Sequence, residues 1–287
     1  MISNIALIPN ENKDRELACA KRVAQKITSL EKKVLVPLEY AHYFEKNANI
    51  IPLDEAELYK SAELAVVTGG DGSIIHTARI AALYSIPILG INLGRLGYLA
   101  ELELDETDLL EDILDGSYTL EKRMMLDYKI VKADGETSTA FALNDIVLTS
   151  RGNTNRVVDV DIFEGKFGTH VGAFRGDGVI ASTPTGSTAY SLAAGGPVID
   201  PMLECISIVP ICTHSLMARP MLFSPDTELK LVNAGRTQIN VSADGSDEYG
   251  IKPGEYVSIK KSKHTALFVR VRKSSFYEVL RKKMAEN

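Results

Sequence analysis

The chain has little cysteine, and none of it is arranged to build disulfides or bind metal. Cys19, Cys205 and Cys212 are odd in number and stand at unrelated spacings in 287 residues, so they read as reduced thiols rather than a disulfide framework. No CxxC pair occurs and the five histidines are scattered, which argues against a zinc site. No run of about twenty apolar residues is present to span a bilayer. The first residues, MISNIALIPNENK, lack the basic start and long apolar stretch of a secretory leader. The expected location is therefore the cytoplasm, with no membrane partner. Excess positive charge is missing too. A net charge of −6 argues against a nucleic-acid partner, which would need a clustered basic surface. Local basic groups and loop amides can still hold a small anion. Two familiar phosphate fingerprints are absent as well: there is no GxxxxGK[ST], and Gly90, Gly94 and Gly97 do not have the GxGxxG spacing.

What the chain does have is LAVVTGGDGSIIHTA at residues 64–78. Residues 64–67 are unbroken and rich in valine, as in a parallel strand buried on both faces. Gly69, Gly70 and Gly72 let the following turn bring backbone N–H groups close to a phosphate. A helix begun at Ser73 points its positive end into the same space. Asp71 then places a carboxylate in a turn suited to anions. A loop that only gripped phosphate gains nothing from it, whereas one that takes a proton from a hydroxyl, or holds Mg²⁺ against a polyphosphate, needs it. The plain alternative is a β–α turn with Asp71 as an ordinary helix cap.

Read in order, residues 2–8 form a strand, 17–30 an amphipathic helix, 34–36 a strand, the polar stretch through Asn47 and Asn49 a loop, and 54–62 a short helix before the GGDG strand. This β–α–β–α–β order predicts an open parallel sheet with ligands bound beyond the carboxyl ends of its strands. A helix over 73–84, a strand over 87–92 and a helix over 105–114 complete this α/β region, with Tyr98 either in the core or lining a base-sized pocket. From about residue 118 the pattern turns to β: strands are predicted at 128–131, 140–148, 157–163, 206–209, 228–232, 238–242 and 256–260, with turns at Asp134-Gly135 and Glu164-Gly165. The second domain should be mainly antiparallel. A basic helix over 274–283 ends the chain.

Within the β region, residues 175–197 read as one long loop, RGDGVIASTPTGSTAYSLAAGGP. Thr183, Thr185, Ser187 and Thr188 offer donors and acceptors to a base edge or a ribose, and Tyr190 offers a stacking face. So long a loop, so dense in hydroxyls, points to ligand contact rather than a plain connection. Asn144-Asp145 interrupts a β-rich run, as a pair reading sugar hydroxyls would, or as a bulge or turn would. Arg79 and Arg175 are candidate phosphate partners, each with the alternative of a surface ion pair. His76 and His214 read as structural, since neither comes with a nucleophile signature.

GGDGS at 69–73, GINLGRLGYL at 90–99, LND at 143–145, RGDG at 175–178, STPTGSTAYSLAAGGP at 182–197 and HSLMARP at 214–220 occur in the order found in bacterial NAD kinases, which the chain resembles. GGDG alone is shared with diacylglycerol-kinase-like and phosphofructokinase-like enzymes; TPTGSTAY together with the other blocks is specific. The resemblance implies transfer of the terminal phosphoryl group of ATP, or of polyphosphate, to the 2′-hydroxyl of NAD to make NADP. It further implies a divalent metal, Mg²⁺ by preference, and a homodimer or homotetramer. It implies an α/β domain over 1–122, rejoined by 268–287, and a β-rich NAD-binding domain over 123–267. In this light Asp71 is the catalytic aspartate, Gly70 and Gly72 lie against the nucleotide, and Tyr98 is the aromatic near adenine. Asn144 and Asp145 contact NAD, although the second position is commonly Glu. Arg175, Asp177, Thr185, Ser187, Thr188, Ala189 and Tyr190 join the nucleotide-binding set, some of it across a subunit contact, and Asp244 lies nearby. The other readings are a lipid kinase built on the same GGDG chemistry, for which residues 175–197 supply no apolar lining, and a catalytically silent NAD(P)-binding module, against which the retained Asp71 speaks.

Overall fold

The structure, a computed structural model, describes residues 2–44, 47–94, 97–150, 157–166, 168–213, 215, 218–272 and 276–285. The chain divides into two compact units, Met1–Lys122 with Ala266–Asn287, and Arg123–Thr265.

The first unit is an open α/β sheet. Its elements run β1 (Asn4–Pro9), α1 (Ala18–Ser29), β2 (Lys33–Pro37), β3 (Ile50–Leu53), α2 (Glu55–Ser61), β4 (Leu64–Gly69), α3 (Asp71–Tyr84), β5 (Pro87–Asn92), β6 (Leu102–Glu103) and α4 (Leu110–Leu114). The strands lie side by side in the order β3-β2-β1-β4-β5, all parallel. Every residue of β4 is buried, which is why its sequence is apolar without alternation. Asp54 caps α2 by accepting from the Glu57 N–H at 3.0 Å, so that helix begins where its sequence predicts.

β3 is an addition to the sequence reading, which assigns residues 50–53 to no element. They pair with β2 from Val34↔Ile50 to Pro37↔Leu53. The strand is short, lies at the sheet edge and carries Pro52, which only an edge tolerates, so it lacks the apolar signal of a buried strand. The connections leave β1 and β4 in opposite directions along the sheet, β1 toward β2 and β4 toward β5. Right-handed crossovers then put α1 and α3 on opposite faces, and the paired strands β1 and β4 form the topological switch point. The hydrophobic core on the α1 side joins Leu7, Val23, Ile27, Val66, Leu89 and Ile113.

A half-buried ionic clasp holds the end of the first unit. Arg270 donates to Glu121 at 3.0 Å, to Glu101 at 3.3 Å and to the Leu99 carbonyl at 3.0 Å. The second oxygen of Glu101 accepts the backbone N–H groups of Val271 and Arg272, each at 2.9 Å. Removing either charge leaves the other with poorer compensation, and removing Glu101 also frees the backbone N–H groups that it holds. This clasp fixes the segment in which Leu267 and Phe268 pair parallel with Pro87 and Ile88 of β5.

The second unit is a sandwich of antiparallel sheets. The chain enters along β7 (Thr119–Val131) and continues through β8 (Thr137–Ala142), β9 (Asp145–Ser150), β10 (Val158–Glu164), β11 (Thr169–Gly176), β12 (Gly178–Ser182), α5 (Tyr190–Ala193), β13 (Ile206–Ile211), β14 (Met221–Phe223), β15 (Leu229–Asn233), β16 (Ile239–Ala243) and β17 (Ser246–Ile251) to β18 (Tyr256–Arg270). One sheet runs β14-β13-β12-β9-β16-β17. Facing it are β11-β10-β15-β18 and the β7–β8 hairpin. Alternate side chains of both layers meet in one core, among them Leu126, Tyr128, Leu148, Val160, Ile208, Leu231, Val241 and Val257. The final helix is α6 (Phe276–Ala285).

Two expectations change here. Residues 140–148 form two strands rather than one, with Leu143 and Asn144 at the break. Residues 175–197 are not a single loop, because β12 lies within them, buried at all five positions between β13 and β9. Its short Val179-Ile180-Ala181 core is masked in the sequence by glycines and hydroxyls on either side. His214 lies outside the described residues, as do Arg95 and Leu96 of the GINLGRLGYL block.

Candidate active site

In the first unit, α3 begins at Asp71 itself, two residues before the predicted start, with Gly70 as its cap residue. Asp71 is not the cap. Its carboxylate reaches across to the loop after β5 and accepts the Tyr98 N–H at 2.9 Å and the Leu99 N–H at 3.1 Å. Gly97 makes this possible, since a Cβ there would collide with the Asp71 carboxylate. Gly72 has open space where a side chain would project.

The turn after β1 borders the same place. Asn10 donates from Nδ2 to Ser73 Oγ at 2.5 Å, and its backbone N–H donates to the Thr68 carbonyl at 3.1 Å. Asn10 Oδ1 in turn accepts the Lys13 N–H at 3.1 Å. The Lys13 ammonium stands over Gly70, 2.8 Å from where a Cβ would sit. Asn10, Lys13 and Gly97 are the residues of this cluster that sequence reasoning missed; the signal available was the polar NENK turn closing the first strand.

Tyr98 is partly buried, its ring centroid 6.2 Å from that of Phe276, with the Lys283 ammonium 4.2 Å above its ring. Burial raises the pKa of its phenol, and Asp71 adds to the effect.

In the second unit, the Asn144-Asp145 break is built by Asp244. That residue sits at φ 50°, a left-handed backbone, in the tight connection from β16 to β17. Its carboxylate accepts three successive N–H groups, from Leu143 at 2.8 Å, Asn144 at 2.7 Å and Asp145 at 3.1 Å. Asp244 N–H returns a bond to the Asp145 carbonyl at 3.0 Å. On the other side the Asn144 carbonyl accepts from the Thr183 N–H at 2.9 Å and from Ser182 Oγ at 3.2 Å. Gly186 packs so closely on the Asn144 peptide that a Cβ would not fit. With its backbone held this way, Asn144 Oδ1 is buried and meets no donor among the described residues.

The hydroxyls expected to meet a ligand in the TPTGSTAY segment already have partners within it and close to it. Thr183 Oγ1 donates to the Leu143 carbonyl at 2.6 Å and accepts the Gly186 N–H at 3.1 Å. Ser187 Oγ donates to the Pro184 carbonyl at 2.7 Å and accepts the Ile199 N–H at 3.0 Å. Thr185 Oγ1 accepts from buried Arg123 at 3.2 Å, and Thr188 Oγ1 approaches the Thr185 carbonyl at 3.4 Å. A short polar segment that turns sharply must satisfy its own carbonyls, and its hydroxyls do so. Ser191 Oγ, by contrast, is buried without a partner.

Tyr190 is exposed beside Ala189, and its phenol pKa is raised by burial first and then by Cys212, Asp177 and Asp145. Asp145, Asp177 and Tyr190 thus share one neighbourhood. Asp177 is exposed between β11 and β12, and its N–H donates to the Ile211 carbonyl at 2.9 Å. Arg175 pairs with Asp159 on the adjacent strand at 3.5 Å and is largely exposed, the geometry of a surface ion pair.

Comparison with known proteins decides what this arrangement belongs to. Residues 5–118 match the ATP-NAD kinase N-terminal domain and residues 96–271 the ATP-NAD kinase C-terminal domain. The chain belongs to the ATP-NAD kinase family. The NAD kinase of Thermoanaerobacter sp. (strain X514) is 36% identical over 293 residues, covering 99% of this chain and 100% of that protein. The NAD kinase of Carboxydothermus hydrogenoformans is 41% identical over 232 residues, 80% of this chain and 82% of that protein. Among solved structures, yeast NADH kinase complexed with NADH shares the fold at TM-score 0.87 and 24% identity, covering 100% of this chain and 88% of that one. An NAD kinase from Archaeoglobus fulgidus in complex with ATP does so at TM-score 0.74 and 25% identity, covering 99% of each. The activity is that of an NAD kinase, a phosphotransferase, and not that of a lipid kinase or a silent binding module.

In this NAD kinase the electrostatics of the dinucleotide candidates centre on Asp145. Burial pushes its carboxyl up from 3.8 to about 7, and the charge of Asp244 adds to the effect. An acid with a raised folded pKa binds more protons folded than unfolded between the two values, so stability falls as pH rises across that window. For Asp145 the contribution is complete below pH 3.8 and is lost by about pH 7. Asp145→Asn carries no proton to lose. It is expected to match the wild type near pH 4 and to exceed it above pH 7 by up to about 4 kcal/mol, as read from urea midpoints at both pH values. Equal pH dependence in the two proteins would show that folding does not raise the Asp145 pKa.

Proposed function

We propose that Asp71 is the general base of NAD phosphorylation, taking the proton of the adenosine 2′-hydroxyl as that oxygen attacks the terminal phosphorus of ATP. Phosphoryl transfer asks mainly for alignment and for charge stabilisation. The single observation that carries the reading is the double hydrogen bond from the Tyr98 and Leu99 N–H groups to Asp71. It holds the carboxylate at the first turn of a helix, beside glycines whose N–H groups can face phosphate. Gly70 and Gly72 let the nucleotide approach, and Tyr98 offers an aromatic edge near it.

Asn144 and Asp145 read the dinucleotide in this proposal. The buried, unpartnered Asn144 Oδ1 supports it, because an orphaned acceptor calls for a ligand hydroxyl or amide donor. Tyr190, Ala189, Asp177 and Thr188 flank the same neighbourhood. Thr185, Ser187 and Asp244 serve it by shaping the backbone around Asn144, and Arg175 serves as a peripheral charge.

Mg²⁺ fits as a companion of ATP. Among the described residues no cluster of three metal-binding side chains exists, and Mg²⁺ commonly binds through one or two carboxylates plus substrate phosphates. With Asp71 taken as the base, the phosphates of ATP would carry most of the ion's ligands, and the ion would neutralise charge on the transferred group. Polyphosphate as an alternative donor rests on the same phosphate-facing turn.

The cytoplasm is the compartment proposed, consistent with unpaired cysteines at 19, 205 and 212 and with no described helix long and apolar enough to cross a membrane. A homodimer or homotetramer is proposed as well. Tyr190, Leu192, Val198, Met202 and Leu203 are all exposed within one short stretch, an apolar surface of the kind that self-association covers.

Three outcomes test this reading. With ATP, Mg²⁺ and NAD, Asp71→Asn is expected to lose about 10²–10⁴-fold in turnover while binding NAD as before; near-normal turnover would make Asp71 structural. Asn144→Ala is expected to raise the KM for NAD by about tenfold or more with little change for ATP, and an unchanged KM for NAD returns that residue to a strand break. In sedimentation the protein should be at least a dimer, and a fully active monomer would defeat the oligomer proposal.

A further inference from the structure

The helix α6 is the part of the first unit that the reading so far leaves without a role. It has ten residues, and isolated helices of that length are marginal in water, so what it packs against decides whether it forms. None of its residues is fully buried. Phe276, Val279, Leu280 and Lys283 are half-buried, while Tyr277, Glu278, Arg281 and Lys282 are exposed. The half-buried residues recur at the i, i+3, i+4, i+7 spacing of one helix face. Lys283 is thus turned inward with the apolar residues, while Arg281 and Lys282 beside it stay in solvent.

That face meets Tyr98, within the first unit. The Tyr98 and Phe276 ring centroids stand 6.2 Å apart with the rings tilted by 37°, inside the range of an aromatic pair. The Lys283 ammonium stands 4.2 Å over the Tyr98 ring, close enough for a cation–π contact. Phe276 and Lys283 are two helical turns apart, and one ring reaches both because a long helical side chain leans toward the N-terminus of its helix. The backbone of Tyr98 has a different anchor, since its N–H donates to the Asp71 carboxylate at 2.9 Å. Backbone and ring are therefore held separately, the first by the candidate base and the second by α6. A tyrosine ring still turns about its side-chain bonds when its N–H is fixed. Holding that ring before the nucleotide arrives lowers the cost of binding.

With Asp71 as the base for the adenosine 2′-hydroxyl, the residue that donates its N–H to Asp71 stands beside the adenosine of NAD. We propose that α6 is a clamp on Tyr98, in which Lys283, together with Phe276, is a positioning residue that holds the phenol ring in the orientation in which it meets the adenine of NAD. The clamp rests on the reading of Tyr98 as the aromatic near the nucleotide. Lys283 acts on the ring alone, so its effect belongs to NAD binding and not to the chemical step.

The test is a double-mutant cycle on the full chain, with NAD and ATP varied separately in steady-state kinetics. Formation of NADP by the wild type checks the kinase reading by itself. A raised KM for NAD in Tyr98→Leu checks the reading of Tyr98, and an unchanged KM there removes that reading and the clamp with it. Lys283→Met is expected to raise the KM for NAD by about 3-fold to 10-fold and to leave kcat and the KM for ATP unchanged. Lys283→Arg, which keeps a cation over the ring, is expected to stay close to the wild type. In the Tyr98→Leu background Lys283→Met is expected to have no further effect on the KM for NAD, because the ring it acts through is gone. If the two effects multiply in the double variant, Lys283 acts independently of Tyr98, and the clamp is wrong while the reading of Tyr98 stands. If Lys283→Met shifts NAD and ATP alike, or if Lys283→Arg loses as much as Lys283→Met, α6 only supports the unit and the proposal fails.

Discussion

The carboxylate of Asp71, held by two backbone N–H groups, is the constraint on which the first unit's chemistry depends. A side chain at the first position of a helix is ordinarily free to rotate or to cap the helix. Here the N–H groups of Tyr98 and Leu99 fix its direction, and Gly97 is the residue without which the loop could not come close enough. The same pair of bonds therefore does two things at once. It orients the candidate base, and it fastens the loop after β5 to the loop after β4. The clasp among Glu101, Glu121 and Arg270 sits only a few residues further along that loop, with Arg270 also holding the Leu99 carbonyl. Leu99 is thus held at its N–H by the candidate catalytic group and at its carbonyl by the half-buried Arg270 guanidinium.

The second unit solves a comparable problem with a different device. Asn144 sits at a break between strands, where N–H and carbonyl groups lose their ladder partners and must be satisfied otherwise. Asp244 supplies acceptors to three N–H groups in a row, and Ser182 and Thr183 supply donors to the carbonyl side. Among the described residues the Asn144 side-chain oxygen is left without a donor. The dinucleotide contact proposed for Asn144 would supply the donor that this buried acceptor lacks.

Which features could be read from the sequence follows from how local their causes are. The β4–GGDG–α3 unit was legible because a fully buried strand, a glycine turn and a helix each leave a short-range pattern. β3 was not, because an edge strand buries too little to show one. β12 was hidden because only Val179, Ile180 and Ala181 stand between GDG and STPTG, too few to carry a periodicity of their own. The hydroxyls at 183, 185 and 187 were correctly seen as dense and polar, yet their partners are carbonyls and an arginine up to 62 residues away, which no spacing reveals. Lys13 escaped for the same reason: its place over Gly70 comes from the pairing of β1 with β4, a contact between segments nearly sixty residues apart in sequence.

Asp145 and Asp244 show how far the local electrostatics follows from that architecture. Placing a carboxylate at Asp244 to gather three N–H groups is favourable there, since each bond is charge-assisted. Burial first, and then the negative charge set against it at Asp244, push the Asp145 carboxyl up to about 7. Two carboxyls close together, with one ionised and one neutral, differ in what they can offer a ligand: the first is committed as an acceptor, whereas the second can donate through its O–H as well as accept. The aspartate at 145 stands within the electrostatic influence of Asp244, so the charge it would bring to the proposed dinucleotide contact is set by its burial and by that neighbour together.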